Sequence, residues 1–473
     1  MRQKRMISPR FLCSPAVATL RIGKVFVLLL GLGFTAITET TAAPTSPPNI
    51  IMLLVDDMGY ADLGCMGAKD IKTPNIDRIA AEGVRMTDCY ANAPVCSPTR
   101  AAFITGRWQQ RCGIEWAIGL TSEEEKRVNG ELVPVAERFT MGLMPEDTFL
   151  APLLKKHGYG TACYGKWHLG FKPEHNPVKH GFDEYWGIIG GQCDYYRYHY
   201  IDGMKQLYEK TEMTTAEGYI TDLINQRTVR YIREESTQPF FIYVPYNAVH
   251  HPYQVPDDPT QFYTAENKND GTRAGYAKML ESIDKGVGDI FAALEAKGIL
   301  DNTLIIFTND NGGERFSDNR PLFNHKTTLW EGGIRVPCLL RWPDGGLPKG
   351  AVSAQPAITM DLSATILAAA GVPIPKTMDG IDLLPILRGQ QSPVERTFGW
   401  RVDRSRRKMK ALRQGDWKYV QDDMVEMLFN LRDDIGEHHD LYYERLDKVK
   451  ELKAKLAEWE ANVDKVPPPI RIH

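Results

Sequence analysis

The pentapeptide CSPTR, residues 96–100, sets a thiol and a guanidinium four positions apart with Pro98 between them. Pro98 suits the first turn of a helix and Gly106 its end, so SPTRAAFITG is predicted to be helical. Cys96 then lies at or just before the N-cap, where free N–H groups and the helix dipole favour an anion. Arg100, on the first turn, can fork onto an oxyanion. The plainer alternative is a structural or redox cysteine of low pKa at a helix start. A second set of residues offers only oxygen: Asp56, Asp57, Asp310 and Asn311. Hard cations prefer such ligands, and several carboxylates suit calcium better than magnesium, which keeps its waters.

These residues fall where elements end. NIIMLLV (49–55) reads as a buried strand running into Asp56 and Asp57, and TACYG (161–165) leads to Lys166 and His168. PFFIYVPY (239–246) leads to His250, and TLIIFTN (303–309) runs into Asp310 and Asn311. Helical patterns separate these runs. TPNIDRIAAEG has Thr73 as predicted N-cap, Pro74 at the first helical position and Gly83 as terminator. Alternating buried strands and helices predict an α/β fold with a large, mostly parallel sheet flanked by helices. Ligands in such sheets bind beyond the carboxyl ends of the strands. Any one of these polar residues could be an ordinary turn residue. Four strands delivering them to one edge point to a site.

The chain has 473 residues, 43% hydrophobic and 25% charged, with a formal net charge of −3, enough for a large core and no basis for nucleic-acid binding. Basic residues from Arg2 to Lys24 precede the apolar run VFVLLLGLGFTAI, and small residues follow near Ala43. That pattern predicts a signal peptide over residues 1–43, hence export to a periplasm or the exterior. The apolar run is too short to span a membrane comfortably, so no stable span is expected after cleavage. Besides Cys13 and Cys96, six cysteines remain (Cys65, Cys89, Cys112, Cys163, Cys193 and Cys338), an even number that permits disulfides without fixing a pairing. No C-x-x-C pair occurs, which argues against a zinc ribbon.

CSPTR resembles the C-x-P-x-R signature of type I sulfatases, members of the alkaline phosphatase superfamily whose cysteine is oxidised to Cα-formylglycine. LLVDDMGYADLGCMG, YGKWHLG, NAVHHP, FTNDNGG and HKTTLWEGGIRVP are similar to further sulfatase motifs in family order, from about residue 48 to 435. WKYV and EMLFNLRDDIGEHHDL look like its C-terminal subdomain. The resemblance implies Asp56, Asp57, Asp310 and Asn311 as calcium ligands, completed by formylglycine at position 96. It implies Arg100 as the residue holding the aldehyde hydrate, Lys166 and His168 as contacts to hydrate and sulfate, His250 as the acid for the leaving group, and Lys326 as a sulfate-binding lysine. Asn309 stands where a serine often precedes DNG and touches no ligand position.

The implied activity is sulfuric ester hydrolysis on a sulfated carbohydrate or aryl sulfate, after maturation by a formylglycine-generating enzyme. A hydrated aldehyde carries two hydroxyls, one to attack sulfur and one to expel sulfate by elimination, a route closed to plain serine or cysteine. A phosphate or phosphonate monoesterase on the same scaffold is the nearest rival, and a non-catalytic calcium-dependent glycan-binding protein a more distant one. A catalytic domain is expected over 48–385, before the loop LRGQQSPVE. A C-terminal α+β subdomain is expected over 386–473, a short antiparallel sheet with one helix. RVDRSRRKMK (401–410) reads as a solvated face or as a contact to a polyanion. In QCDYYRYHY (192–200) the rings could fill a core or stack on a sugar, and both readings stay open.

Overall fold

A computed structural model describes residues 46–119, 127–128, 131–132, 141–235, 238–404 and 407–465. The expected leader, 1–43, lies outside the described residues. No described helix is long and apolar enough to cross a membrane.

Ten strands form the main sheet: β1 (Asn49–Val55), β2 (Val84–Met86), β3 (Gly160–Tyr164), β4 (Glu184–Ile188), β5 (Leu207–Glu209), β6 (Glu212–Met213), β7 (Phe240–Pro245), β8 (Thr303–Asn309), β9 (Cys338–Arg341) and β10 (Ala351–Ser353). Their spatial order is β10-β2-β9-β8-β1-β7-β3-β4-β5-β6. The four adjacent strands β8, β1, β7 and β3 are mutually parallel. They are also the four apolar runs that end in polar residues. Every residue of β1, β3, β7 and β8 is buried, as expected of strands covered on both faces.

Helices cover those faces. α1 (Pro74–Ala81), α4 (Ile220–Arg230) and α5 (Arg273–Ala296) share one apolar cluster with the sheet; α2 (Cys96–Thr105), α3 (Leu150–Lys156) and α6 (Thr359–Ala369) share the other. Thr73 occupies the predicted N-cap of α1, but its hydroxyl accepts from Gly64 N and donates to Asp77. Asp284, from α5, caps α1 instead by accepting from the N–H groups of Asn75 and Ile76.

A second, antiparallel sheet comprises β11 (Thr397–Arg404), β12 (Arg407–Gln414), β13 (Trp417–Asp422) and β14 (Val425–Asn430), packed by α7 (Leu446–Val463). Its apolar face joins a third cluster with Tyr90, Trp108 and Trp330 of the larger part. Arg401, Arg407 and Lys410 each pair with a carboxylate (Glu115, Asp422 and Glu460), so much of the basic run on this hairpin is internally neutralised. In the aromatic run, Tyr195 is fully buried, stacks on Tyr219 and donates to the carbonyls of Asn247 and His250. Tyr198 is likewise buried, so these two rings serve the core. All seven described cysteines are free thiols.

Candidate active site

Cys96 is the first residue of α2, one step inside the predicted position, with Val95 as N-cap. Pro98 falls in the first turn, where a missing N–H costs nothing, and Gly106 ends the helix at φ 64°. All ten residues of α2 are buried. Ser97 Oγ accepts from Ile118 N at 3.1 Å, and the Ile118 carbonyl accepts from His168 Nε2 at 2.9 Å. One residue of a neighbouring loop thus ties the start of α2 to the imidazole. His168 Nδ1 then lies 3.1 Å from Cys96 Sγ.

A carbonyl can only accept, so Nε2 carries the proton, and burial together with the Lys166 charge holds His168 well below the usual imidazole range. The neutral ring therefore presents the Nδ1 lone pair to residue 96. His168 and Asp57 both sit at positive φ, 58° and 64°, a backbone strain found most often at functional sites.

The polar ends of β1, β3 and β8 converge beside Cys96. Lys166 pairs with Asp56, both fully buried. Arg100 donates from Nε and Nη2 to Asp310 Oδ2, at 3.0 and 2.7 Å, and from Nη1 to the Lys166 carbonyl. Its hydrogen bonds hold Asp310 rather than residue 96. Lys326 Nζ donates to Asp57 Oδ2 at 2.7 Å, and Asn311 Nδ2 to Asp57 Oδ1 at 2.8 Å. The lysine arrives on a loop joined to the Cys96 loop by the bond from Thr327 N to the Pro94 carbonyl.

His250, beyond β7, donates from Nδ1 to the His251 carbonyl at 2.7 Å and turns Nε2 toward Asp57 Oδ2 at 3.6 Å. Burial and the charge of Lys326 hold it well below its ordinary pKa. The structure thus brings Asp56, Asp57, Cys96, Arg100, Lys166, His168, His250, Asp310, Asn311 and Lys326 into one cluster.

Three buried oxygens in that cluster, Asp56 Oδ1, Asp310 Oδ1 and Asn311 Oδ1, have no hydrogen-bond partner. Ligand atoms of Asp56, Cys96 and Asp310 all lie within 4.8 Å of one another. Unpaired buried oxygens are costly, and a cation held between them removes that cost. Burial and the neighbouring Asp56 push Asp310 well above the usual carboxylate range, and burial and Asp56 raise Asp57 to about 6. A bound cation would reverse both shifts. The donor set fits a metal ion.

Cys96, His168, His250 and Lys326 line a cavity of about 330 Å³. Trp116, Phe171 and Tyr200 add an aromatic wall, and His251, Lys268 and Glu314 a polar one. Sequence reasoning had only Tyr200 of these, in the aromatic run 192–200 for which sugar stacking was one of two readings. Loop side chains carry no periodicity, and among the rest only the adjacency of His251 to His250 gave a signal.

A family model described as Sulfatase matches residues 48–372, and one described as N-sulphoglucosamine sulphohydrolase, C-terminal, matches 320–462. The N-acetylgalactosamine-6-sulfatase of Mus musculus is 36% identical over 390 residues, covering 78% of this chain and 70% of the relative. The steryl-sulfatase of the same organism is 30% identical over 437 residues, covering 74% and 67%. The crystal structure of Ps i-CgsB in complex with k-i-k-neocarrahexaose superposes with a TM-score of 0.78 at 31% identity, over 89% of this chain and 94% of that one. With the family model spanning most of the chain and relatives of 30% identity or more on either side of the saccharide–steroid divide, the chain belongs to the sulfatase family and is a sulfuric ester hydrolase.

Proposed function

We propose that this enzyme releases sulfate from a sulfated saccharide, with residue 96 converted to Cα-formylglycine and calcium held by Asp56, Asp57, Asp310, Asn311 and residue 96. The observation that carries this reading is the position of Cys96 Sγ, 3.1 Å from His168 Nδ1 and within 4.8 Å of carboxylate oxygens of Asp56 and Asp310. Sulfur is a poor match to an otherwise all-oxygen set; formylglycine would put oxygen in its place, which is what calcium prefers. Sγ here stands in for a hydroxyl oxygen of the hydrated aldehyde.

Calcium at this position would act as a Lewis acid toward sulfate oxygens and acidify the attacking hydroxyl. The hydrate offers two hydroxyls on one carbon, so that attack on sulfur by one is followed by elimination through the other. His168 Nδ1, its lone pair aimed at residue 96, accepts the proton lost there. Lys326, at the cavity wall, binds the sulfate group and stabilises charge that builds on its oxygens. Arg100 and Lys166 act one step back, fixing Asp310 and Asp56. His250 keeps Nδ1–H on a carbonyl, so a proton for the departing alkoxide must come from Nε2. A bound sulfate monoester favours the imidazolium, which loads that proton together with the substrate.

Two of the relatives point to saccharides, N-acetylgalactosamine-6-sulfatase and Ps i-CgsB with its neocarrahexaose. The polar wall of His251, Lys268 and Glu314 favours a sugar over a sterol. The leader pattern in residues 1–43 supports export to a periplasm or the exterior. The reading is tested by sulfate release from defined sulfated saccharides and 4-nitrophenyl sulfate, alongside the matching phosphates, with peptide mass spectrometry of residue 96. An aldehyde at 96 and preference for sulfate are expected. Full activity with an unmodified thiol, or preference for phosphate monoesters over every sulfate, overturns it.

A further inference from the structure

Glu314 follows β8 by five residues, just past the site's Asp310 and Asn311, and its carboxylate lines the same cavity as Cys96. Its Oε2 is shielded from solvent and has no hydrogen-bond partner. The closest basic group is His251 Nδ1 at 3.7 Å, an ion-pair rather than a hydrogen-bond distance. His251 packs against His250, ring centroids 4.1 Å apart and planes tilted by 33°, and lines the cavity as well. Lys326, the deeper cation of the cavity, is committed to Asp57 at 2.7 Å. Against burial, His251 and the charge of Lys326 hold Glu314 down at about 2, so the group is an anion at neutral pH. The Glu314 side chain is 35% exposed, so a carboxylate oxygen on its open side can accept a ligand O–H in a charge-assisted hydrogen bond. The same oxygen repels a second sulfate or a uronate carboxylate.

We infer that Glu314, with His251 beside it, determines specificity on the leaving-group side, accepting a hydrogen bond from the free hydroxyl nearest the sulfate ester and rejecting sugars that carry an anion there. This rests on the sulfate-ester reading above and narrows it to monosulfated sugar residues with a neutral neighbour. The sulfate group sits among Lys326, His250 and residue 96, and the sugar hydroxyl meets the Glu314 carboxylate on the polar wall. Glu314 takes no part in proton transfer at sulfur.

The test uses the full-length, matured enzyme with three probes: 4-nitrophenyl sulfate, N-acetylgalactosamine 6-sulfate and N-acetylgalactosamine 4,6-disulfate, the last carrying sulfate in place of the 4-hydroxyl, the ring hydroxyl nearest the 6-sulfate. Wild type should favour the monosulfated over the disulfated sugar by about tenfold or more in kcat/KM, as expected for one charge-assisted contact against one repulsion. Glu314→Gln keeps the shape and removes the charge. It should bring that ratio close to one, mainly by raising KM for the monosulfated sugar. His251→Gln, which removes the adjacent imidazole, should lower the ratio less. If Glu314→Gln lowers both sugars by the same factor, or leaves the ratio as it was, the assignment is wrong. Turnover of 4-nitrophenyl sulfate with neither sugar accepted also overturns it and leaves the sulfatase reading standing. No sulfate from any of the three probes overturns the parent reading instead.

Discussion

His168 and His250 flank the same anion site, yet each has its proton pinned at a different nitrogen: Nε2 on the Ile118 carbonyl in one, Nδ1 on the His251 carbonyl in the other. On the proposed mechanism, that difference gives one to residue 96 and leaves Nε2 of the other for the leaving group. An unactivated sugar alkoxide needs protonation and a nitrophenolate hardly does. His250→Ala is therefore expected to lose about 100-fold or more in kcat on a sulfated sugar and much less on 4-nitrophenyl sulfate. Equal losses on both would remove His250 from the acid role. The site's residue types were legible because four strands end in them; their couplings were not. That Arg100 spends its hydrogen bonds on Asp310 and the Lys166 carbonyl depends on side-chain directions in three dimensions. Glu314 and Ile118 act through a carboxylate edge and a backbone carbonyl, neither of which residue spacing exposes.

Between the helical turn Glu331–Ile334 and β13 lies a buried charge network. Lys418 Nζ sits 2.8 Å from both Glu331 Oε1 and Glu437 Oε1, and all three side chains are fully buried. Glu437 Oε2 also accepts from Glu331 N at 2.6 Å. The turn begins five residues after Lys326, so this network supports the loop that carries that lysine. Burial, despite Lys418 and with Glu331 adding to it, raises Glu437 to about 7 from an ordinary 4.5. Its stabilising contribution is fully present below about pH 4.5 and lost as pH rises through about 7. Glu437→Gln removes an acceptor and lowers stability at every pH, so the slope is the readout. The urea midpoint of wild type should fall from pH 5 to pH 8 more steeply than that of the variant; parallel profiles would show that Glu437 does not titrate in this window. Strand and helix positions were legible from apolar runs and from Pro and Gly. This network was not, since Glu331 and Lys418 are 87 residues apart.

Across the whole molecule, the antiparallel sheet reaches into the larger part through aromatic packing. Trp400 lies 5.4 Å from Tyr90, centroid to centroid, and donates to the Ala91 carbonyl at 2.9 Å. The alternation of strands and helices foretold the main sheet, and a run of short strands before one helix the second, but such aromatic contacts have no signature in periodicity. Metal binding should couple to this whole fold, because the ligands come from β1, α2 and the end of β8, far apart in sequence. Calcium is expected to raise Tm by several degrees, at a concentration well above its Kd, by binding the folded state alone. Asp310→Ala should abolish the shift, read by calorimetry without any substrate. A Tm that calcium leaves unmoved in wild type would count against the proposed metal.

The complete burial of α2 also sets an order of events. Cys96 is 3% exposed in the folded chain, and the nine residues after it are inside as well. On the proposed reading a maturation enzyme must reach a side chain inside the fold, and unwinding α2 would open the apolar cluster it shares with α3 and α6. If residue 96 is oxidised as proposed, that step is expected to precede folding, and a molecule that folds first should keep the thiol. Incubating folded, unmodified protein with the maturation enzyme should yield no aldehyde, while a synthetic peptide of residues 90–110 should be converted. Conversion of the folded chain at a comparable rate would show that α2 opens far more readily than its packing implies.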